Sequence, residues 1–240
     1  MMSMLRRIFV GVLLIYLGSS YADDIPPPPY QLGNGQFIFI GVEWDEQTIK
    51  DFLPKELKPV AGMTGGINIY YTKTSDPINW EAGYYWIDLE GFDAPDGTKG
   101  RFILAGQYGP ATTMANIVTE TYAFNHVRVG SARHKIDGDL LSSYMQIAGK
   151  DLVETQIRFT GQCTSTDYKN TLFYVNENDQ SENVVLKIPY ELHMVCPASP
   201  VTVKVSAAGM DPYSKIKFNK LTWAVFATGS SSWLAPTISK

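Results

Sequence analysis

YGPATTMANIVTETYAFNHVRVG, residues 108–130, is where a long succession of strand patterns is broken by a helix. Met114, Ile117 and Val118 recur at i, i+3 and i+4, the spacing of one helical face. Thr112 or Thr113 can cap its start, because a side-chain oxygen there takes an N–H that the helix leaves unpaired. Glu120, Tyr122, Phe124 and His126 follow. A helix at mid-chain argues against a plain up-and-down barrel. The ordinary reading of a histidine behind two aromatics is a core or strand histidine satisfied by a backbone carbonyl.

Outward from this stretch the pattern is β. On the N-terminal side, residues 36–42 (QFIFIGV), 67–72 (INIYYT), 84–89 (YYWIDL) and 101–108 are aromatic and β-branched, with turn residues at Ser75-Asp76-Pro77 and Asp96-Gly97. Residues 45–53 read as a short helix capped by Asp45, with Ile49, Phe52 and Leu53 on one face and Pro54 as its stop. On the C-terminal side strands are expected at 127–136, 140–147, 152–162, 172–175, 184–188, 201–206 and 216–226. Residues 176–183 (NENDQSEN) read as a solvated loop. Ten or more strands against two short helices, with 12% aromatic residues, predict a mainly β fold, an antiparallel closed or cone-like barrel.

A chain of 240 residues with 45% hydrophobic content is long enough for one sizeable core. Three segments are expected: 1–22 a signal peptide, 23–35 a proline-rich arm, and 36–240 a single β-barrel domain. Twenty Lys and Arg against 24 Asp and Glu, net charge −4, leave no basic footprint for phosphate, so nucleic acid is not an expected partner.

Residues 1–22 carry Arg6 and Arg7, then an apolar run at 8–17, then Ser20 and Ala22 as small residues at a cleavage site. That run is about half of the ~20 residues that span a bilayer, so export to a periplasm or the outside is expected, with a permanent anchor as the alternative and no stable membrane span. Pro26 to Pro29 favour an extended polyproline II spacer. An oxidising destination makes Cys163 and Cys196 disulfide partners, with two free thiols as the alternative. With no CxxC and only His126, His134 and His193, neither a metal site nor a cofactor is expected.

Several pieces, in shared order over roughly residues 30–233, resemble the acetoacetate decarboxylase family. They are Phe52-Leu53-Pro54 leading to Leu57, Trp80-Glu81-Ala82-Gly83, Lys99-Gly100-Arg101-Phe102, Asp137-Gly138-Asp139-Leu140, Leu186-Lys187-Ile188-Pro189, and residues 217–223 followed by Thr228-Gly229. The resemblance implies a cone-like antiparallel barrel with an apolar interior pocket, usually in a homo-oligomer. Its chemistry rests on a lysine that forms an imine with a β-keto acid, activated by desolvation and a neighbouring cation. That lysine follows the helix in a signature similar to Glu-x-aromatic-Gly-aromatic-Pro-Lys-Lys.

Laid on this chain, the signature puts Glu120 on the glutamate, Tyr122 and Phe124 on the aromatics, Ala123 on the glycine and Asn125 on the proline. His126 falls on the imine-forming lysine and Val127 on its cationic neighbour. No lysine lies between Lys99 and Lys135, and imidazole has no primary amine. A family arginine falls at Gly35 and a second carboxylate near Gly66, while Glu81 keeps the first. The resemblance therefore implies a small-molecule pocket for a keto or carboxylate compound, unable to decarboxylate through a lysine imine. Its expected residues are Glu81, His126, Tyr122, Phe124 and Glu120.

Two alternatives stand beside this. One is a lyase or hydratase-type enzyme with His126 as acid or base and Glu81 as its partner. The other is a decarboxylase using another lysine, such as Lys99 or Lys135. Whether the chain is an enzyme is left open. The bland readings also stand: Glu81 a solvated turn residue, Tyr122 and Phe124 core, Glu120 on the exposed helix end. A lipocalin-like carrier is the competing fold.

Overall fold

The computed structural model describes residues 25–76, 79–206 and 213–239. The expected signal peptide, residues 1–22, lies outside the described residues. In chain order the elements are β1 (Tyr30–Trp44), α1 (Glu46–Ile49), β2 (Thr64–Tyr71), β3 (Thr74–Asp76), β4 (Glu81–Leu89), β5 (Gly100–Gly109) and α2 (Thr112–Asn116). A single π-helical turn (Ile117–Thr121) follows, then β6 (Val127–Val129), β7 (Ser131–Asp137), β8 (Leu140–Ile147), β9 (Lys150–Phe159) and β10 (Thr164–Ser165). The chain ends with β11 (Lys169–Glu177), β12 (Asn183–Val205), β13 (Phe218–Trp233) and β14 (Thr237–Ser239).

Seven strands close a ring. β5, β4, β2, β1, β13 and β12 pair antiparallel in that order, β11 pairs with β12, and a single parallel bridge from Tyr174 to Arg101 ties β11 back to β5. From β12 the sheet continues through β9 and β8 to β7. The mainly β class follows from the aromatic and β-branched runs read in the sequence. Because successive side chains alternate between faces, each ring strand feeds two apolar clusters. Ile38, Ile40, Ile67, Ile69, Tyr85 and Ile87 belong to an outer one, which Leu141, Met145 and Val153 of β8 and β9 cover. Phe37, Tyr70, Tyr84, Tyr108, Tyr174 and Trp233 belong to an inner one.

Several boundaries differ from expectation. β12 runs unbroken for 23 residues, through Pro189, Pro197 and Pro200, where two separate strands were expected. It serves three neighbours in succession, β11, β13 and β9, and a register shift after Pro200 absorbs the missing donor. β1 begins at Tyr30, so residues 30–35 of the expected arm belong to the sheet. Asp45 caps α1 as expected, accepting from the Thr48 N–H at 3.0 Å. The cap of α2 is Ala111 with no side-chain bond, so neither Thr112 nor Thr113 does that job. Burial of Met114, Ile117 and Val118 in the inner cluster holds the segment instead, as tertiary packing does for most short helices.

Cys163 and Cys196 form a disulfide between the segment before β10 and the middle of β12. Among the described residues no helix is long and apolar enough to cross a membrane.

Candidate functional site

The inner face of the ring encloses a cavity of about 200 Å³. All seven ring strands contribute to its lining, which makes it the interior of the cone. Leu32, Phe37 and Phe39 of β1, Leu172 of β11, and Ile188 and Leu192 of β12 form apolar walls. Trp223, Val225 and Trp233 of β13 continue them, with Trp223 half exposed.

Apart from Tyr190 of β12 and Ser230 and Ser231 of β13, the polar groups gather on adjoining strands. Asn68 and Tyr70 come from β2, Tyr84 from β4, Arg101 from β5 and Tyr174 from β11. Asn68 Nδ2 donates to the Tyr84 hydroxyl at 2.8 Å, the Tyr84 and Tyr174 hydroxyls share a bond of 2.7 Å, and Arg101 Nη1 reaches the Tyr174 hydroxyl at 3.4 Å. The guanidinium lies over the Trp86 ring at 4.5 Å from its centroid, and its Nε stands 3.9 Å from Asp88 Oδ1. That carboxylate also accepts from Trp86 Nε1 at 3.1 Å and, on its other oxygen, from Thr64 Oγ1 at 2.9 Å. Stacking and pairing thus fix the pose of Arg101, whose charge persists at any physiological pH. Burial pushes the Tyr70 and Tyr84 phenols well above their ordinary range, with the Tyr174 phenol adding to both, so they stay protonated and able to donate. Asn68 Oδ1 and the Tyr70 hydroxyl are buried without a partner.

The five residues singled out in the sequence lie elsewhere. Tyr122 and Phe124 are buried in the inner cluster, in ring contact with each other and with Trp233, and the Tyr122 hydroxyl donates to the Trp233 carbonyl at 3.2 Å. They back the cavity wall through Trp233 without lining it. Glu120 is exposed on the π turn. Glu81, at the start of β4, accepts from the Ala132 N–H at 3.1 Å and so ties β4 to β7. His126 is exposed, with its ring edge-on to Phe52 at 5.4 Å. Partial burial there and the Arg128 charge hold its pKa below the usual imidazole value.

Glu81 and His126 do not come together. Glu81 pairs with Gly109, whereas the His126 carbonyl takes the N–H of Gly106, about 10 Å away along β5 at the rise of an extended strand. Ala123, on the glycine of the signature, has φ +54°, a left-handed conformation that glycine adopts without strain. Among the described residues, the cavity lining contains Arg101 and no lysine. Among the described residues no group of three or more His, Cys, Asp or Glu is placed to hold a metal ion.

Sequence reasoning passed over Asn68, Tyr70, Tyr84, Arg101 and Tyr174. Two had a visible signal: Asn68 stands alone between Ile67 and Ile69, and Arg101 opens the apolar run Phe102-Ile103-Leu104-Ala105. A polar side chain inside a strand buried on both faces has to be satisfied by something.

No family model matches the sequence, and no curated protein matches it. Solved structures match its fold. An acetoacetate decarboxylase from Legionella pneumophila superposes with a TM-score of 0.72 at 12% identity, over 90% of this chain and 88% of that one. The enduracididine biosynthesis enzyme MppR, complexed with pyruvate, gives 0.69 at 11% identity, over 95% and 97%. An acetoacetate decarboxylase-like enzyme from Sphingomonas wittichii gives 0.64 at 9% identity, over 96% and 100%. At these identities the likeness is one of fold: the chain has the acetoacetate decarboxylase-like architecture that the sequence resemblance implied.

Proposed function

We propose that this protein is an exported, acetoacetate decarboxylase-like binder of a small keto or carboxylate compound, which it holds in the ring interior without forming a lysine imine. One observation carries the reading. The cavity is walled mainly by apolar side chains and floored by a positioned guanidinium, phenols and an amide, yet among the described residues its lining has no primary amine. Apolar walls with a few convergent polar groups are what a small-molecule site requires. An imine requires the amine that is missing. His126 and Glu81 act in this reading on the scaffold, since they face different neighbours. The same reading keeps the export of the chain and its assembly with copies of itself, the latter measurable by light scattering of the purified protein.

The test is borohydride treatment in the presence of acetoacetate and pyruvate, followed by intact-mass measurement, alongside a fluorescence titration of the cavity tryptophans. Expected are saturable binding and an unchanged mass. A stable adduct on any lysine would overturn the proposal, and so would the absence of binding by every keto or carboxylate compound tried.

A further inference from the structure

Counting hydrogens on the cavity floor narrows the ligand. The Tyr84 and Tyr174 hydroxyls are joined by one bond, which uses one of their two hydrogens. Tyr84 already accepts from Asn68, and Tyr174 from Arg101. Whichever phenol donates within the pair, the other is left with a hydrogen and no acceptor. Tyr70 supplies a second such hydrogen. Asn68 Oδ1 is the buried amide oxygen of this floor left without a donor. The floor is thus rich in donors, and it carries a fixed positive charge. Asp88 balances that charge only partly: its oxygen is 3.9 Å from Arg101 Nε, beyond hydrogen-bond reach.

Buried donors left without partners are costly, so the ligand that completes this floor brings acceptors. A carboxylate has two oxygens and about four lone-pair sites, and pairs well with a guanidinium held in one pose. Apart from Tyr190, Ser230 and Ser231, the rest of the lining is hydrocarbon or aromatic. At about 200 Å³ the space is smaller than the roughly 300 Å³ at which drug-sized sites begin.

We propose that the cavity takes a small amphipathic monocarboxylate, its head group on Arg101, Tyr174, Tyr84 and Tyr70 and its apolar body against Phe37, Leu172 and Ile188, with no keto group required. This rests on the reading of the cavity as the ligand site and specifies its chemistry. The acid is held by charge-assisted hydrogen bonds at the floor, and its chain displaces water from the walls. No covalent step is involved.

The experiment compares hexanoate, hexanol, methyl pentyl ketone and acetoacetate on the purified protein by tryptophan fluorescence, with calorimetry as confirmation. Hexanoate is expected to bind at least about tenfold more tightly than the alcohol or the ketone, the scale of one charged hydrogen bond. Arg101→Gln should bring hexanoate down to the level of hexanol, and Tyr70→Phe should weaken hexanoate severalfold while leaving hexanol unchanged. Equal affinity of acid, alcohol and ketone for the native protein would overturn the inference whether or not the variants fold. A folded Arg101→Gln protein that still preferred the acid would also overturn it. Acetoacetate binding without hexanoate binding would refute the ligand class and leave the cavity reading standing, whereas failure of all four would remove both.

Discussion

His134 on β7 is the histidine whose surroundings matter most for stability. Its Nδ1 meets the Ser143 hydroxyl at 2.9 Å, its Nε2 meets the Gln36 carbonyl at 3.4 Å, and its ring leans on Tyr71. Burial pulls its pKa down to about 4, against the weaker opposite pull of the Gln36 and Arg133 backbone. The unfolded chain therefore binds this proton more readily than the folded one. The contribution is complete above the ordinary imidazole pKa of about 6.5 and is lost as pH falls through the window to about 4, in total on the order of 3 kcal/mol. Urea unfolding of the native protein and of His134→Gln across that window should give curves that converge toward acid. Parallel curves would show that His134 does not titrate in this way. The same scale explains what could be read of the site. Ala123 aligned with a glycine and holds a glycine-like φ, so local backbone geometry was legible. The direction of the His126 ring was not, because it depends on Phe52, 74 residues earlier.

At the scale of elements, Glu81 acts as a tie between strands. Its carboxylate accepts the Ala132 N–H, where β7 starts and the sheet folds back over the outer face of the ring. Glu81→Ala removes a hydrogen bond to a charged group and is expected to cost about 1.5–3 kcal/mol in chemical denaturation. Binding of a cavity ligand should be unchanged within about twofold, since Glu81 does not reach the lining. Loss of binding at unchanged stability would return Glu81 to the site. The strand pattern was readable element by element because apolar runs and the turn residues between them are local: β8 falls on the expected residues 140–147. The joining of two expected strands into β12 was not readable. Prolines signal a break locally, and only three successive partners keep the strand extended through them.

At the scale of the molecule, the disulfide joins points 33 residues apart and pins the β10 segment to the long strand. In the chain-entropy picture it contributes about 3–4 kcal/mol. Cys163→Ser with Cys196→Ser should therefore lower the melting temperature by about 10 °C, as followed by circular dichroism. A shift under about 2 °C would mean that the crosslink adds little to the folded ring. The pairing also fits the proposed export, for which mass spectrometry of secreted protein provides the check. Cleavage after Ala22 should leave Asp23 as the first residue, and an intact Met1 on secreted protein would overturn that assignment.

The aromatic and β-branched runs, the turn residues and the mid-chain helix determined the mainly β architecture, because each follows from local stereochemistry acting over a few positions. The same line of residues determined that no lysine lies between Lys99 and Lys135, since order along the chain needs no folding to be read. Which side chains meet was decided only when the ring closed. Tyr174 reaches Arg101 and Tyr84 across 73 and 90 residues of chain, and its strand meets β5 at a single parallel bridge. No periodicity encodes such a contact; it exists because the two ends of a curved sheet arrive at the same place.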